Sequence, residues 1–328
     1  MKETINWGIM GPGRIAHKFV QALKTIDNAK ITAVGSRDKS RAEAFSKQYG
    51  IAKSYGSYEE LAADPDTDII YVATPHPFHR DCVKLCLNGG KAVLCEKPFT
   101  MNARDTRELV ELAREKKLFL MEAMWTRFFP VIKKVRQWLN EGAIGDLQMF
   151  RAEFGFGGEH DPKDRLLNPE LGGGALLDLG IYPVSFASMI FGRQPETIHS
   201  IACIGPTGVD EQCTMIFGYD NGKMASLSVS FRTYLSNEAW IFGTHGNIHI
   251  APEFHRASKA VLIKPNGEEE IFESPYESTG YQFEALEAMD CIRNGRTESE
   301  IMPLDESIAI METLDKMRDQ WQLRYPNE

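Results

Sequence analysis

Three residues in this 328-residue chain carry side chains suited to moving a proton. Lys97 ends the apolar run Val93-Leu94-Cys95-Glu96 and is followed directly by Pro98, so its direction is fixed. At the carboxyl end of a parallel strand such a cation would face the crevice where sheets of that kind bind ligands. Asp178 and Tyr182 stand four apart in Gly172-Gly173-Gly174-Ala175-Leu176-Leu177-Asp178-Leu179-Gly180-Ile181-Tyr182-Pro183, hence on one face if the segment is helical. A phenol ordinarily titrates near 10, too high for efficient proton exchange at neutral pH, and a nearby cation lowers it. Lys97 is the candidate cation. A helix-terminal Asp beside a buried, hydrogen-bonded Tyr is an equally good reading of the residues alone. The three glycines are expected to let backbone approach a ligand, and Pro183 marks either a kink or a first helical turn.

A second constellation opens the chain. Gly11-Pro12-Gly13-Arg14-Ile15-Ala16 is G-x-G-x-x-A, set between a strand (5–10) and a helix (14–25), with a second strand (30–35) following. Gly11 permits the tight turn, Gly13 lets a pyrophosphate approach the backbone, and Ala16 allows close packing, while the helix N-terminus attracts phosphate charge. Gly11, Gly13, Arg14 and Ile15 are therefore candidate dinucleotide contacts. At the end of the second strand stand Ser36 and Arg37, with Arg41 one turn on, where an acid would select NAD. Guanidinium groups there favour the 2′-phosphate of NADP. Asp38 argues for NAD unless it only caps the next helix. Pro75-His76-Pro77-Phe78-His79 follows another strand. His76 and His79 are placed to touch nicotinamide or substrate, or else to bond the backbone of a rigid loop, the reading preferred for His79.

The elements that must position these groups fall into two textures. Up to about residue 123, strands (68–74, 92–95, 118–121) alternate with helices (81–87, 103–116), which predicts a doubly wound parallel sheet. Beyond it, Phe150, Ala152, Phe154 and Phe156 alternate with Arg151, Glu153 and Gly155, and Ala225, Leu227, Val229 and Phe231 alternate with serines. Asp220-Asn221-Gly222 and Pro265-Asn266-Gly267 signal hairpins, so this sheet is expected to be largely antiparallel. The fold class predicted is α/β: an N-terminal Rossmann domain, 1–123, and a C-terminal α+β domain, 124–328, with a large open sheet. Helices are expected at 281–293 and 304–321.

The apolar fraction is 43% and the charged fraction 25%, ordinary for a globular protein. A net charge of −9, from 46 acids against 37 bases, argues against nucleic acid or an anionic membrane as partner. No uninterrupted apolar run reaches the ~18 residues of a membrane span, and no signal peptide is visible. Six scattered cysteines suggest reduced thiols and a cytoplasmic location. No metal site is expected, since His245 and His249 flank a glycine turn.

Together these pieces resemble the glucose–fructose oxidoreductase/inositol dehydrogenase (Gfo/Idh/MocA) family over nearly the whole chain. The resemblance rests on residues 11–16, Thr74-Pro75 with His79, Glu96-Lys97-Pro98, and Gly172-Gly173-Gly174 before Asp178-x-Gly180-x-Tyr182. Many relatives carry histidine where Tyr182 stands. Tyrosine there, with Met121 through Pro130, is similar to a narrower branch of dimeric dihydrodiol dehydrogenases and NADP-dependent D-xylose 1-dehydrogenases. The resemblance implies an NADP(H) dehydrogenase, NAD being the alternative cofactor, acting on an aldose or cyclic trans-diol. Other sugar or keto-sugar reductases of the family are a second reading, and a dinucleotide-sensing regulator without chemistry is a third. It implies Tyr182 as general acid/base, Lys97 as the charge that lowers its pKa, and Asp178 as orienter of substrate or Lys97. Thr74 and Glu96 join the cofactor contacts. Trp125, Arg127 and Phe154 join the substrate contacts, although Trp125 and Phe154 suit an interdomain core as well. A homodimer through the C-terminal sheet is implied too.

Overall fold

A computed structural model describes residues 3–326 and 328. The chain divides into two compact units, Met1–Trp125 with Glu277–Ile308, and Thr126–Tyr276 with Ala309–Glu328.

The first unit begins with β1 (Ile5–Met10), α1 (Arg14–Leu23), β2 (Ala29–Gly35), α2 (Lys39–Tyr49), β3 (Lys53–Tyr55) and α3 (Tyr58–Ala62). It continues with β4 (Ile69–Val72), α4 (His79–Asn88), β5 (Ala92–Glu96), α5 (Ala103–Lys116) and β6 (Leu120–Ala123). Among the described residues six strands form one sheet in the order β3-β2-β1-β4-β5-β6, with neighbouring strands parallel. Strands β4, β5 and β6 are buried along their whole length, as a sheet covered on both faces requires. The order reverses at β1, so the crevice at the carboxyl ends of β1 and β4 is the switch point where such sheets take ligands.

The second unit contains α6 (Pro130–Asn140), β7 (Leu147–Gly155), α7 (Ile181–Phe191), β8 (Thr197–Ile204), β9 (Asp210–Gly218) and β10 (Met224–Ser230). Four short strands follow: β11 (Ala239–Gly243), β12 (Gly246–Ile250), β13 (Lys259–Ile263) and β14 (Glu269–Glu273). Eight strands among the described residues form the order β14-β13-β12-β11-β7-β10-β9-β8, antiparallel except that β7 and β10 run parallel. Asn221 and Gly222 (φ 57° and 75°) form the turn between β9 and β10, the left-handed pair that a tight hairpin needs. Phe150, Ala152, Leu227 and Val229 face inward, and α7 covers them. The opposite face carries Ile201, Ile216, Met224 and Ile271 in the open.

The last helices are α8 (Gln282–Arg293) and α9 (Leu304–Trp321). Helix α8 packs on α1, and Arg293 donates to the Glu3 carbonyl at 2.7 Å, so residues 277–308 join the first unit. A linear boundary at 123/124 therefore misplaces α8, because tertiary packing and not chain order sets the division. The apolar segment Pro169–Phe191 is long enough to cross a membrane by length and composition, but 83% of its apolar window is buried in the fold.

Candidate active site

The sequence dictates the dinucleotide turn locally. Gly11 has φ +89°, and a side chain on it would press on the Ala73 carbonyl at 3.2 Å, so glycine is required twice over. Gly13 precedes α1 as its N-cap without a side-chain hydrogen bond, and a Cβ there would meet only the Ala73 oxygen, at 3.9 Å. Open space and helix-terminal amides without a side-chain cap suit an anion. Arg14 is exposed and Ile15 half-buried at the same helix start, while Ala16 is buried against the strand.

Beyond β2, Asp38 caps α2: its Oδ1 accepts from the Ser40 amide at 2.9 Å and the Ser40 hydroxyl at 2.6 Å. These bonds, the Ser40 hydroxyl foremost, hold its carboxyl below the ordinary range. Asp38 is thus the helix cap, which removes the main objection to a phosphate at Arg37. Ser36 is buried, Arg41 is exposed, and the exposed Arg37 guanidinium lies 5.0 Å over the Phe78 ring.

After β4, Thr74 and His76 are buried, Thr74 beside Gly11 and His76 edge-on to the His79 ring. His79 is fully buried; Nδ1 lies 2.9 Å from the Pro98 carbonyl and Nε2 lies 2.8 Å from the Thr74 carbonyl. Burial pushes its pKa down against those backbone bonds. Both ring nitrogens are committed to the main chain, so His79 braces the loop after β4 against the loop after β5. The arrangement agrees with the backbone-bonding reading preferred for His79 over a cofactor contact.

Lys97 follows β5 through a cis Lys97–Pro98 peptide, and its amide donates to Glu96 Oε2 at 3.2 Å. Glu96 Oε1 accepts a short bond from the Tyr71 hydroxyl. Phe19 stacks on Tyr71 with centroids 3.7 Å apart, and Trp125 stacks on Tyr281 at 4.2 Å. Behind this aromatic wall lies Glu284 of α8, fully buried, with neither carboxyl oxygen hydrogen-bonded to a protein group among the described residues. Burial, then the Glu96 charge, pushes its pKa well above the ordinary value of 4.5. The folded state therefore holds a proton at Glu284 that the unfolded chain releases above about pH 4.3. Folding stability is lost as pH rises through that window. We expect Glu284→Gln to melt progressively higher than wild type as pH climbs from 5 to 8, read by thermal unfolding; a gap that stays constant across the range would contradict a neutral Glu284.

In the second unit Tyr182 is the second residue of α7, which follows a π-turn, Leu176–Gly180, that carries Asp178. Pro183 falls in the first turn of α7, where the wider preceding turn accommodates the bond it cannot donate. Phe154 of β7 meets the Tyr182 ring edge-on at 5.5 Å and stacks on His255 at 4.3 Å. Thr126 fixes the His255 backbone, its hydroxyl donating to that carbonyl at 2.6 Å. Tyr182 thus sits in an aromatic surround, only 7% exposed.

Several expectations change here. Asp178 pairs with Arg165, whose two terminal nitrogens donate to its carboxylate at 3.0 and 3.2 Å, so its charge is already matched within the unit. Arg127 is buried, and its guanidinium donates to the Ser185 hydroxyl at 3.0 Å and the Ser185 carbonyl at 2.7 Å. It ties the turn after β6 to α7, a brace rather than a substrate contact. The glycine triplet approaches the chain itself: a Cβ on Gly173 would lie 2.7 Å from the Leu166 carbonyl, and one on Gly174 lies 2.5 Å from Asp210 Oδ1. The sequence reading missed Arg165, His255, Asp210 and Glu284. No local motif marks any of them, because each acquires its partner across 13 to about 190 residues of chain.

Residues 5–124 match the model of an oxidoreductase family with an NAD-binding Rossmann fold, and residues 132–249 match the GFO/IDH/MocA C-terminal domain. The chain is 43% identical over 331 residues to trans-1,2-dihydrobenzene-1,2-diol dehydrogenase of Xenopus laevis, covering 98% of this chain and 99% of the relative. The human enzyme of the same name is 40% identical, with 99% of each chain covered. A 3-ketoreductase from Actinomadura kijaniata, solved with NADP and TDP-benzene, superposes with a TM-score of 0.84 at 25% identity, over 96% of this chain and 97% of that one. An aldose-aldose oxidoreductase from Caulobacter crescentus shares the fold at a TM-score of 0.88 and 21% identity, covering 97% of this chain and 98% of the other.

Proposed function

The chain belongs to the Gfo/Idh/MocA family of oxidoreductases, and from that premise we propose that it is an NADP(H)-dependent dehydrogenase of a cyclic trans-dihydrodiol or an aldose such as a pentose. The observation that carries the reading is Tyr182, a phenol enclosed by Phe154 and His255 at the start of α7. The full-length likeness to dihydrodiol dehydrogenases supports the diol.

When bound, the nicotinamide supplies the two-electron redox chemistry. The residues that would hold the dinucleotide fit it: Gly11 and Gly13 with the amides at the start of α1 for the pyrophosphate, flanked by Arg14 and Ile15. Ser36, Arg37 and Arg41 would hold the 2′-phosphate, which is the ground for NADP over NAD. Thr74, His76 and Glu96 complete the contacts. Tyr182 takes the hydroxyl proton when the substrate is oxidised and returns it on reduction. Lys97 is proposed, from the family resemblance, as the cation that lowers the phenol pKa. Asp178, clamped by Arg165, fixes the turn that presents Tyr182. Phe154 and Trp125 offer flat apolar surface to a ring-shaped substrate.

The proposal includes a homodimer through the open sheet face, supported by the exposed Ile201, Ile216, Met224 and Ile271. It includes a reducing cytoplasm, supported by the free thiols Cys82, Cys86, Cys95, Cys203, Cys213 and Cys291. The test is a panel of trans-dihydrodiols, aldoses and keto-sugars run with NADP(H) and NAD(H) side by side, followed through the nicotinamide absorbance. We expect turnover of a diol or aldose, with kcat/KM for NADP+ at least about tenfold above NAD+, the worth of one charge-assisted phosphate contact. Turnover of keto-sugars alone favours the ketoreductase reading. Tight NADPH binding without turnover across the panel favours a dinucleotide-sensing regulator.

A further inference from the structure

Asp210, the first residue of β9, is fully buried beneath the turn that carries Asp178 and leads into Tyr182 on α7. Its Oδ2 accepts from the backbone amide of Leu176 at 2.6 Å. Leu176 is the first residue of the π-turn, and its carbonyl accepts from the amide of Ile181, next to Tyr182. Gly174, the last of the glycine triplet, is fitted to the same acid. Gly174, at φ +122°, brings its backbone so close that a Cβ would overlap Asp210 Oδ1 at 2.5 Å and the Tyr325 hydroxyl at 2.8 Å. Tyr325 closes the other side, donating to the Gly173 carbonyl at 2.5 Å. Asp210 Oδ1 itself has no hydrogen-bond partner among the described residues. A strand-end acid buried against a helical start, with one oxygen engaged and one idle, is costly unless the acid does something there.

We propose that Asp210 is a positioning residue for Tyr182: it anchors the π-turn through the Leu176 amide and so sets the direction of the phenol. The inference rests on the reading of Tyr182 as the proton-handling group. Burial pushes the Asp210 carboxyl up to about 7, opposed by the Leu176 amide and the Arg318 charge. The other titratable groups around it are Tyr325, whose ring lies 5.3 Å from the Arg318 guanidinium, Glu328, which Arg318 binds at 2.9 Å, and Cys213 on β9. Ionisation of Asp210 near neutrality strengthens its grip on the Leu176 amide, because a charged acceptor holds an amide more tightly than a neutral one. The anchor is thus firmer above pH 7 than below.

Asp210→Leu removes the acceptor, whereas Asp210→Asn keeps an oxygen for the Leu176 amide and removes the titration. In the full-length protein with NADP+ and the best diol or aldose of the panel, Asp210→Leu is expected to lose at least about tenfold in kcat. Its KM for NADP+ stays within about twofold, and Asp210→Asn returns to within about threefold of wild type. The wild-type kcat profile carries an inflection near pH 7 that Asp210→Asn lacks. Amide hydrogen exchange on the unaltered protein supplies a readout independent of activity and of variant folding: Leu176 is protected, and more strongly at pH 8 than at pH 6 after correction for intrinsic rate. A freely exchanging Leu176 amide, or wild-type kcat in Asp210→Leu, overturns the anchor. An inflection that persists unchanged in Asp210→Asn overturns its pH dependence. If Tyr182→Phe keeps full activity while Leu176 stays protected, the functional reading of Tyr182 fails and the anchoring of the turn does not.

Discussion

Tyr182→Phe abolishes turnover while leaving the fold intact: kcat falls by two to four orders of magnitude, about 3–5 kcal/mol in the barrier. The substitution deletes one oxygen and nothing else. The ring keeps its edge contact with Phe154 and its tilted contact with His255, so the packing around α7 is retained and the melting temperature shifts by no more than a few degrees. If Tyr182 handles the proton as proposed, the loss falls on kcat and not on cofactor binding. Steady-state kinetics with a thermal melt checks both halves. A variant that keeps more than a tenth of wild-type kcat would remove Tyr182 from the chemistry.

Lys97→Met is expected to cost two to three orders of magnitude in kcat and to move the pH dependence of what remains. The methionine chain fills a similar volume without charge, so the change is electrostatic more than steric. If Lys97 is the cation proposed, its loss lets the phenol titrate nearer the ordinary value of about 10, and residual activity should rise with pH further into the alkaline range than in wild type. The double variant Lys97→Met/Tyr182→Phe should be scarcely worse than either single one, since residues acting as a unit are strongly non-additive. Additive losses in the cycle would mean that Lys97 serves something other than Tyr182.

The parts of the site readable in sequence are those fixed by short-range geometry. Gly11 is demanded by a positive φ, Asp38 by the two donors just after it, and the direction of Lys97 by its strand and Pro98. The parallel, doubly wound character of the first sheet follows from alternation, whereas the short β3 and α3 escaped, because three and five residues carry no measurable period. What stayed hidden is held by distant partners. Arg127 looked like a substrate contact until Ser185, 58 residues on, proved to take its guanidinium. His79 is open to ligand or backbone from sequence, with backbone preferred, and its ring lies between the Thr74 and Pro98 carbonyls. The glycine triplet looked like a ligand cradle, yet its close approaches are to Leu166, Asp210 and Tyr325. A motif names the residue types a site needs; tertiary contacts decide which of them are spent on holding the site together.

The central claim is that a hydride passes between a carbinol carbon of the substrate and the nicotinamide, with Tyr182 handling the proton. The most direct measurement uses trans-1,2-dihydrobenzene-1,2-diol and D-xylose deuterated at the carbinol and anomeric carbons, incubated with NADP+ and the full-length protein. Mass spectrometry of the recovered reduced cofactor is predicted to show one deuterium transferred from at least one of the two, with no transfer in Tyr182→Phe over the same interval. Reduced cofactor that carries no deuterium, or transfer undiminished in Tyr182→Phe, would contradict it.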